Sequence, residues 1–489
     1  MRLTLAPNEQ ICEEDLYKYT KHRWLYNEES ELSKRYLKFN IQQLINVAIT
    51  ACDGASSCIR VTKCAEGLYN KAFILRMDNG SEVFAKLPNP NAGPAHVTVA
   101  SEVATRELLR RVLDIPVPRV LSWSFDAHGC IHFKEVLRSL TGKAEDIHAD
   151  ALGSDVIKKF TIGPLTTNEL WNGQRGSMNL DRGPWKHPRG YTRAVGNNEI
   201  SWIKSHATPR MNYNRSNQNK ELPQDGIALL EKYMDVSSYL VPAPNDKSCS
   251  LNVPWHPDLH LDNIIIDPET CQITRVVDWQ SACVAPLFYQ SAVPRLCRHP
   301  RPVREGWVIP ERPDNYEDLS PDEQKRIDDD RESEMIHKFY EAQLFKRAPR
   351  HWDVLQQSIF PIVRKPVWLV TGVWENRDLF FLRDALMDVQ THWDRLVAGQ
   401  DAPCPISFSS EEIELQAKEE ENIQGVGSML SLFQEQATLP VDGMVAPEDY
   451  DVARENCRKL KDIFIGLAKD DEEKELFGRL WPYQEPESD

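Results

Sequence analysis

The stretch that most constrains this chain runs from Trp255 to Trp279, WHPDLHLDNIIIDPETCQITRVVDW. Two apolar, β-branched runs, Asn263 to Ile266 and Ile273 to Val277, are separated by Asp267-Pro268, a pair that favours a turn, so the pattern predicts a β-hairpin. The hairpin decides where the polar residues around it fall. His256, Asp258 and Asn263 precede its first strand and Asp278 ends its second, so all four gather at its open end. A carboxylate in such a place can take a proton from a hydroxyl, and an amide oxygen with a second carboxylate suits a hard divalent cation. One neutral and one charged ligand hold an ion without piling up negative charge. A solvated acidic turn ahead of a core hairpin would carry the same letters. The downstream strand ending in Asp278-Trp279 favours the chemical reading.

The chain of 489 residues is long enough for a large core and for one to three domains. A formal net charge of −16 argues against nucleic acid or an anionic membrane as the main partner, because both call for a basic patch. Eleven cysteines, scattered from Cys12 to Cys457 without a C-x-x-C pair, fit neither a disulfide framework nor a zinc site and point to a reducing compartment. No run approaches the length of a membrane span. The opening MRLTLAPNEQICEED reads neither as a signal peptide nor as an Arg-rich presequence.

From Cys58 to Leu87 the pattern turns to strands. CIRVTKCAEG and NKAFILRM flank a turn at Gly67, Leu68 and Tyr69, with Asn70 just beyond it, and Asp78-Asn79-Gly80 is a tight-turn signal before SEVFAKL. Lys86 falls near the end of the third strand, where an isolated lysine is an ordinary solvated edge residue. Thr98 is expected to cap a helix running to about Leu113, with Glu102 on its first turn beside the apolar stripe. A glutamate near a helix start is also favoured by the helix dipole alone. The Pro-rich IPVPRVLSWSF follows, and then the stretch from Ala127 to Asp155 offers one short strand candidate, Ile131 to Val136, before polar sequence.

Around this frame, Trp24, Leu25, Tyr26, Leu37 and Phe39 are expected packing anchors, and Asn40 caps a helix with Ile41, Leu44, Ile45 and Ala48 at helical spacing. Trp171, Arg175, Arg182 and Trp185 could line a cleft, although packing explains them as well. Helices are expected at Ala194 to Ser205 and Ile227 to Leu240. Ser320-Pro321-Asp322-Glu323 is a capping-box start for a charged helix to about Phe345. Glu411 to Glu421 reads as acidic and solvated, and Pro447 to Leu480 as closing helices.

HPDLHLDN followed by VVDWQ resembles the aminoglycoside phosphotransferase and choline kinase-like families, which share the protein-kinase fold. The opening RWLYNE, AEGLYNKAFILRMDNG and SEVATRELLRRVLDIPVPRVLSWS are similar to one fungal subfamily, the altered inheritance of mitochondria protein 9-like proteins. The resemblance implies an α+β, bilobal fold with a small antiparallel-sheet N-lobe and a mostly helical C-lobe. It divides the chain into an N-terminal extension (1–55), an N-lobe (56–140), a C-lobe (141–400) carrying the catalytic loop 254–279, and a helical C-terminal region (401–489). It implies ATP and Mg²⁺ as cofactors and a small molecule as acceptor. Asp258 would deprotonate the acceptor hydroxyl and His256 would brace the loop. Asn263 and Asp278 would hold the metal. Lys86, set by Glu102, would bind phosphates beneath a flap containing Gly67 and Asn70. Pro257 and Trp279-Gln280 depart from the protein-kinase signatures and favour a small-molecule kinase. The family name implies mitochondria. Against the family pattern, the hinge between the lobes is abbreviated or absent.

Two other readings remain. His256, Asp258, His260 and Asp262 alternate onto one side of an extended segment and could make a Zn²⁺ or Mn²⁺ hydrolase, which leaves Lys86, Glu102 and Asp278 unexplained. A binding scaffold that keeps the fold but lacks turnover would also explain an abbreviated hinge.

Overall fold

The computed structural model of the chain describes residues 2–5, 10–124, 160–212, 220–242, 251–397, 402–437 and 439–483. Its N-terminal part is built on a sheet in the order β1 (Arg2–Leu5), β3 (Cys58–Lys63), β4 (Asn70–Met77) and β5 (Glu82–Pro88). The three later strands are antiparallel neighbours, whereas β1 joins the edge parallel to β3. The Asp78-Asn79-Gly80 signal makes the expected turn: Met77 N–H donates to the Ser81 carbonyl at 2.8 Å, and Gly80 takes a φ of 83° that suits glycine. Val61, Phe73, Leu75 and Met77 alternate onto the inner face and are fully buried. The helix Ile41–Ala51 packs there through Ile41, Ile45 and Ala48, capped by Asn40, whose side chain accepts from Gln43 N–H at 2.9 Å.

The helix bearing Glu102 spans Ala95–Arg111 and starts three residues before Thr98. Gly93, at φ 93°, turns the chain and Pro94 presets the entry, so Thr98 lies buried inside the helix and its hydroxyl donates to the Ala92 carbonyl at 3.4 Å. Thr98 is therefore not the cap. The short strand expected at Ile131 to Val136 lies outside the described residues.

The second half is mainly helical. Pro188–His206, Pro223–Val236, Phe360–Leu369 and Leu379–Thr391 enclose the largest core, with Leu230, Tyr233, Val236, Val370, Leu382, Leu386 and Val389 at its centre. The charged helix Pro321–Arg347 starts as expected, at a capping box in which Ser320 and Glu323 satisfy each other's backbone N–H. Helices Ser410–Ala437, Tyr450–Gly466 and Asp471–Leu480 close the chain. Within the first of them Glu419 is buried against Arg383 at 2.7 Å, so the acidic run is not wholly solvated. Together these parts form the kinase-like α+β fold, a strand-built N-terminal region followed by helices.

Two seams tie the halves together. Leu25 and Tyr26 pack on Leu439, Val445, Tyr450 and Trp481, and β2 (Arg23–Trp24) pairs antiparallel with β10 (Met444–Val445). Of the anchors expected in the N-terminal segment, Leu25 and Tyr26 thus serve the C-terminal helices, whereas Phe39 packs in the core under the N-terminal sheet. At the second seam Trp279 packs with Leu109 and Val117. There Val276 N–H donates to the Pro116 carbonyl at 2.7 Å. Among the described residues no helix is long and apolar enough to cross a membrane.

Candidate active site

The hairpin forms where its sequence predicts it. β7 (Ile264–Ile266) pairs antiparallel with β8 (Ile273–Val276), Ile264 facing Val276. Asp267 builds the turn: its carboxylate accepts from Glu269 N–H at 3.0 Å and Thr270 N–H at 2.8 Å, and these backbone donors hold it below the usual carboxylate range. A second pair, β6 (Asn252–Trp255) with β9 (Cys283–Pro286), frames the open end. His256 leaves β6, and Val277 N–H donates to the Asn263 carbonyl at 2.9 Å, so Asn263 and Asp278 emerge side by side.

His256 is buried, with its ring centroid 4.5 Å from that of Trp279. Its Nε2–H donates to the Val277 carbonyl at 2.9 Å, and its Nδ1 accepts from Asp258 N–H at 3.2 Å. Those two partners assign the tautomer. Burial holds the imidazole's pKa below its usual range, so the ring stays neutral and braces the loop. Asn263, also buried, donates through Nδ2 to the Asp258 carbonyl at 2.9 Å and to His260 Nε2 at 3.0 Å. Its nitrogen is engaged, which leaves Oδ1 as the atom suited to a cation. The Asp258 side chain is 67% exposed, with His260 Nε2 at 3.6 Å. The loop is fixed while its carboxylate faces solvent.

Asp278 adopts φ 61°, a left-handed conformation that costs an ordinary residue roughly 1–2 kcal/mol but that Asp tolerates better. Its Oδ1 lies 2.6 Å from Lys86 Nζ. The same ammonium lies 3.0 Å from both Glu102 oxygens. One lysine therefore joins a strand, a helix and the hairpin end, three segments remote in sequence. Lys86 and Glu102 are mostly buried, whereas Asp278 is partly open to solvent.

The flap residues are placed differently. Gly67 has no positive φ, and a Cβ built on it would meet nothing within 4 Å, so nothing local demands glycine there. Asn70 opens β4 opposite Pro88, on the same face of the ladder as Lys86, which faces Ala72, and its Oδ1 is buried without a partner. Sequence reasoning missed Lys63, Glu66 and Lys71, three charged residues buried beneath this turn. The strand period contained the signal: Lys63 is in phase with buried Val61, and Lys71 with Phe73, Leu75 and Met77.

The hydrolase reading and the expected cleft both weaken. Both ring nitrogens of His256 are engaged with backbone. Among the described residues, no group of three or more His, Cys, Asp or Glu side chains is placed to hold a metal ion, so the hydrolase cluster does not assemble. Arg175 is buried in an ion pair with Glu199 at 2.6 Å and a further one with Glu375, and the Arg182 guanidinium stacks over Trp171 at 4.0 Å. These are packing roles.

A sheet bearing a lysine, a helix bearing its carboxylate partner and a hairpin bearing acid and amide groups make the arrangement of a kinase-like fold. Residues 210–293 match the model of the phosphotransferase enzyme family, APH, a span that holds His256, Asp258, Asn263 and Asp278 but not Lys86 or Glu102. Over most of its length the chain is similar to a subtelomeric hrmA-associated cluster protein of Aspergillus fumigatus, 29% identical across 88% of this chain and 97% of that protein. It is also similar to the altered inheritance of mitochondria protein 9 of Yarrowia lipolytica, 22% identical across 87% of this chain and 84% of that one. The protein of that name from Candida glabrata is 22% identical across 60% of this chain and 48% of its own length. The resemblance read from the motifs stands.

Proposed function

We propose that the chain transfers the γ-phosphoryl group of ATP to a hydroxyl of a small molecule. The observation that carries this reading is the Lys86 ammonium shared between Glu102 and Asp278. An ordinary solvated edge lysine has no reason to bridge two carboxylates from a helix and a hairpin. A lysine held by a helix glutamate, beside a carboxylate that can bind a cation, is what phosphate binding needs.

The donor set suits Mg²⁺: one carboxylate at Asp278 and one amide oxygen at Asn263, a number that leaves room for water and phosphate oxygens around an ion that keeps much of its hydration. The bound ion would neutralise charge on the phosphates. Lys86 would add its own positive charge to them, with Glu102 keeping it in place. Asp258, exposed and held by His256 and Asn263 through its backbone, would orient the acceptor hydroxyl and take its proton. Burial of His256 keeps this support neutral, so it does not compete for the proton. The names of the Yarrowia and Candida relatives support a mitochondrial compartment.

The test is to incubate the protein with Mg²⁺, ³²P-labelled ATP and a small-molecule extract, and to separate labelled products. Asp258→Ala should lower the rate of labelling by about 10²–10⁴. Labelling by Asp258→Ala at the wild-type rate would contradict the assignment of the base, whereas no labelling by the wild type itself would favour a scaffold.

A further inference from the structure

The turn between β3 and β4 is held by an arrangement that a plain hairpin does not need. Lys71 Nζ reaches Glu66 Oε1 at 2.8 Å and closes the neck of the turn. Glu66 Oε2 accepts from Thr20 N–H at 2.8 Å and from the Thr20 hydroxyl at 3.1 Å, and it lies 3.1 Å from Lys63 Nζ. The two ammoniums also donate to backbone carbonyls, Lys63 to Asp15 at 2.9 Å and Lys18 at 2.6 Å, Lys71 to Lys18 at 3.0 Å. At the tip of the turn the Leu68 carbonyl accepts from Arg35 Nε and from Asn91 Nδ2, each at 3.2 Å. Arg35 is itself buried, paired with Glu31 at 2.6 Å, its guanidinium 4.7 Å from the Trp24 ring.

Burial pushes the Lys63 and Lys71 ammoniums below their usual range despite Glu66, and apolar residues could fill the same space at no loss of stability. Fixing a position is the service such a cluster performs that an apolar core does not. Lys71 and Lys86 also share one ladder: Lys86 faces Ala72 while Lys71 faces Leu87, so the clamp and the phosphate lysine occupy opposite faces of the same two strands.

We propose that Arg35 and Thr20 are positioning residues for nucleotide binding, which hold the turn at residues 64–69 in the one conformation that closes over phosphates. This inference rests on the nucleotide reading above. The N-terminal segment does what a glycine-rich loop would otherwise do by adapting, and through Trp24 and β2 the clamp is continuous with the C-terminal helices.

The test is calorimetric titration of the full chain with Mg·ATP, with adenosine measured as its competitor. Arg35→Ala should weaken Mg·ATP about tenfold, equivalent to ~1.4 kcal/mol, and leave adenosine within about twofold, because only the phosphates meet the turn. Thr20→Val, nearly isosteric, should shift the balance the same way by a smaller factor and carries the test if Arg35→Ala does not fold. Arg35→Lys should recover part of the loss, since the cation remains without the planar fork. Unchanged Mg·ATP affinity in both Arg35→Ala and Thr20→Val, or parallel loss of ATP and adenosine, would overturn the inference alone. A wild-type protein that binds no Mg·ATP would overturn the proposed function and this inference with it.

Discussion

The hairpin at residues 264–276 with its flanking polar residues and the turn at residues 64–71 hold polar side chains by opposite means. At the hairpin the supports are neutral: His256 and Asn263 are buried and bonded to the main chain, and the charged Asp258 faces solvent. At the turn the charges themselves are buried, two lysines around one glutamate. Neutral supports leave a carboxylate free to act. Buried charges forfeit reactivity and gain a fixed position, because moving one partner strands the others without water.

The largest effect should come from breaking the buried set. Glu66→Leu leaves two ammoniums uncompensated and should destabilise the protein by about 3–5 kcal/mol, read as a lower urea midpoint. Asp258→Asn, at the exposed counterpart, should change stability by no more than about 0.5 kcal/mol while removing turnover. A comparable loss for the two substitutions would erase the contrast.

His256→Ala should lie between them, at roughly 1–3 kcal/mol, since it leaves the half-buried Val277 carbonyl without its donor. The same residue predicts a pH dependence. Burial lowers the folded pKa of His256, so the unfolded chain binds its proton first. Its contribution to stability is therefore complete above the unfolded value of about 6.5 and lost as pH falls below it towards the lower folded value. Denaturation midpoints measured from pH 7.5 downwards should decline less steeply in His256→Gln than in the wild type. An equal slope would place the titration elsewhere.

The smallest effect is expected at Gly67. With ordinary φ and open space around it, Gly67→Ala should alter stability by less than about 0.5 kcal/mol and leave Mg·ATP affinity unchanged. A large loss would mean that the turn relies on glycine rather than on its clamp.

What was legible in the sequence was local. The hairpin, its Asp267 turn, the Asn40 cap and the Ser320 capping box are written in neighbouring residues, and each appears where its chemistry puts it. Lys86 and Glu102 became informative only in combination, because neither residue alone distinguishes a site from a surface. The pairing of Arg23 with Val445 and the parallel entry of β1 depend on segments far apart in the chain and leave no short-range signature. Thr98 misled because a good capping residue also fits inside a helix when glycine and proline have already set the start. The buried lysines were visible as charges on the inward phase of their strands, but the carboxylate that makes such a phase tolerable, Glu66, lies in the turn outside the periodic pattern.

The central claim is that Lys86, Asn263 and Asp278 form one Mg²⁺-dependent nucleotide site, and a thermal-shift titration tests it most directly. The protein is melted with ATP plus MgCl₂ and with ATP plus chelator, alongside Asp278→Ala. At a hundred times its dissociation constant a bound ligand adds about 2.7 kcal/mol, so the wild type should melt at a higher temperature with ATP and Mg²⁺ and the variant should not respond. An unshifted wild type, or an equal shift in Asp278→Ala, would contradict the account.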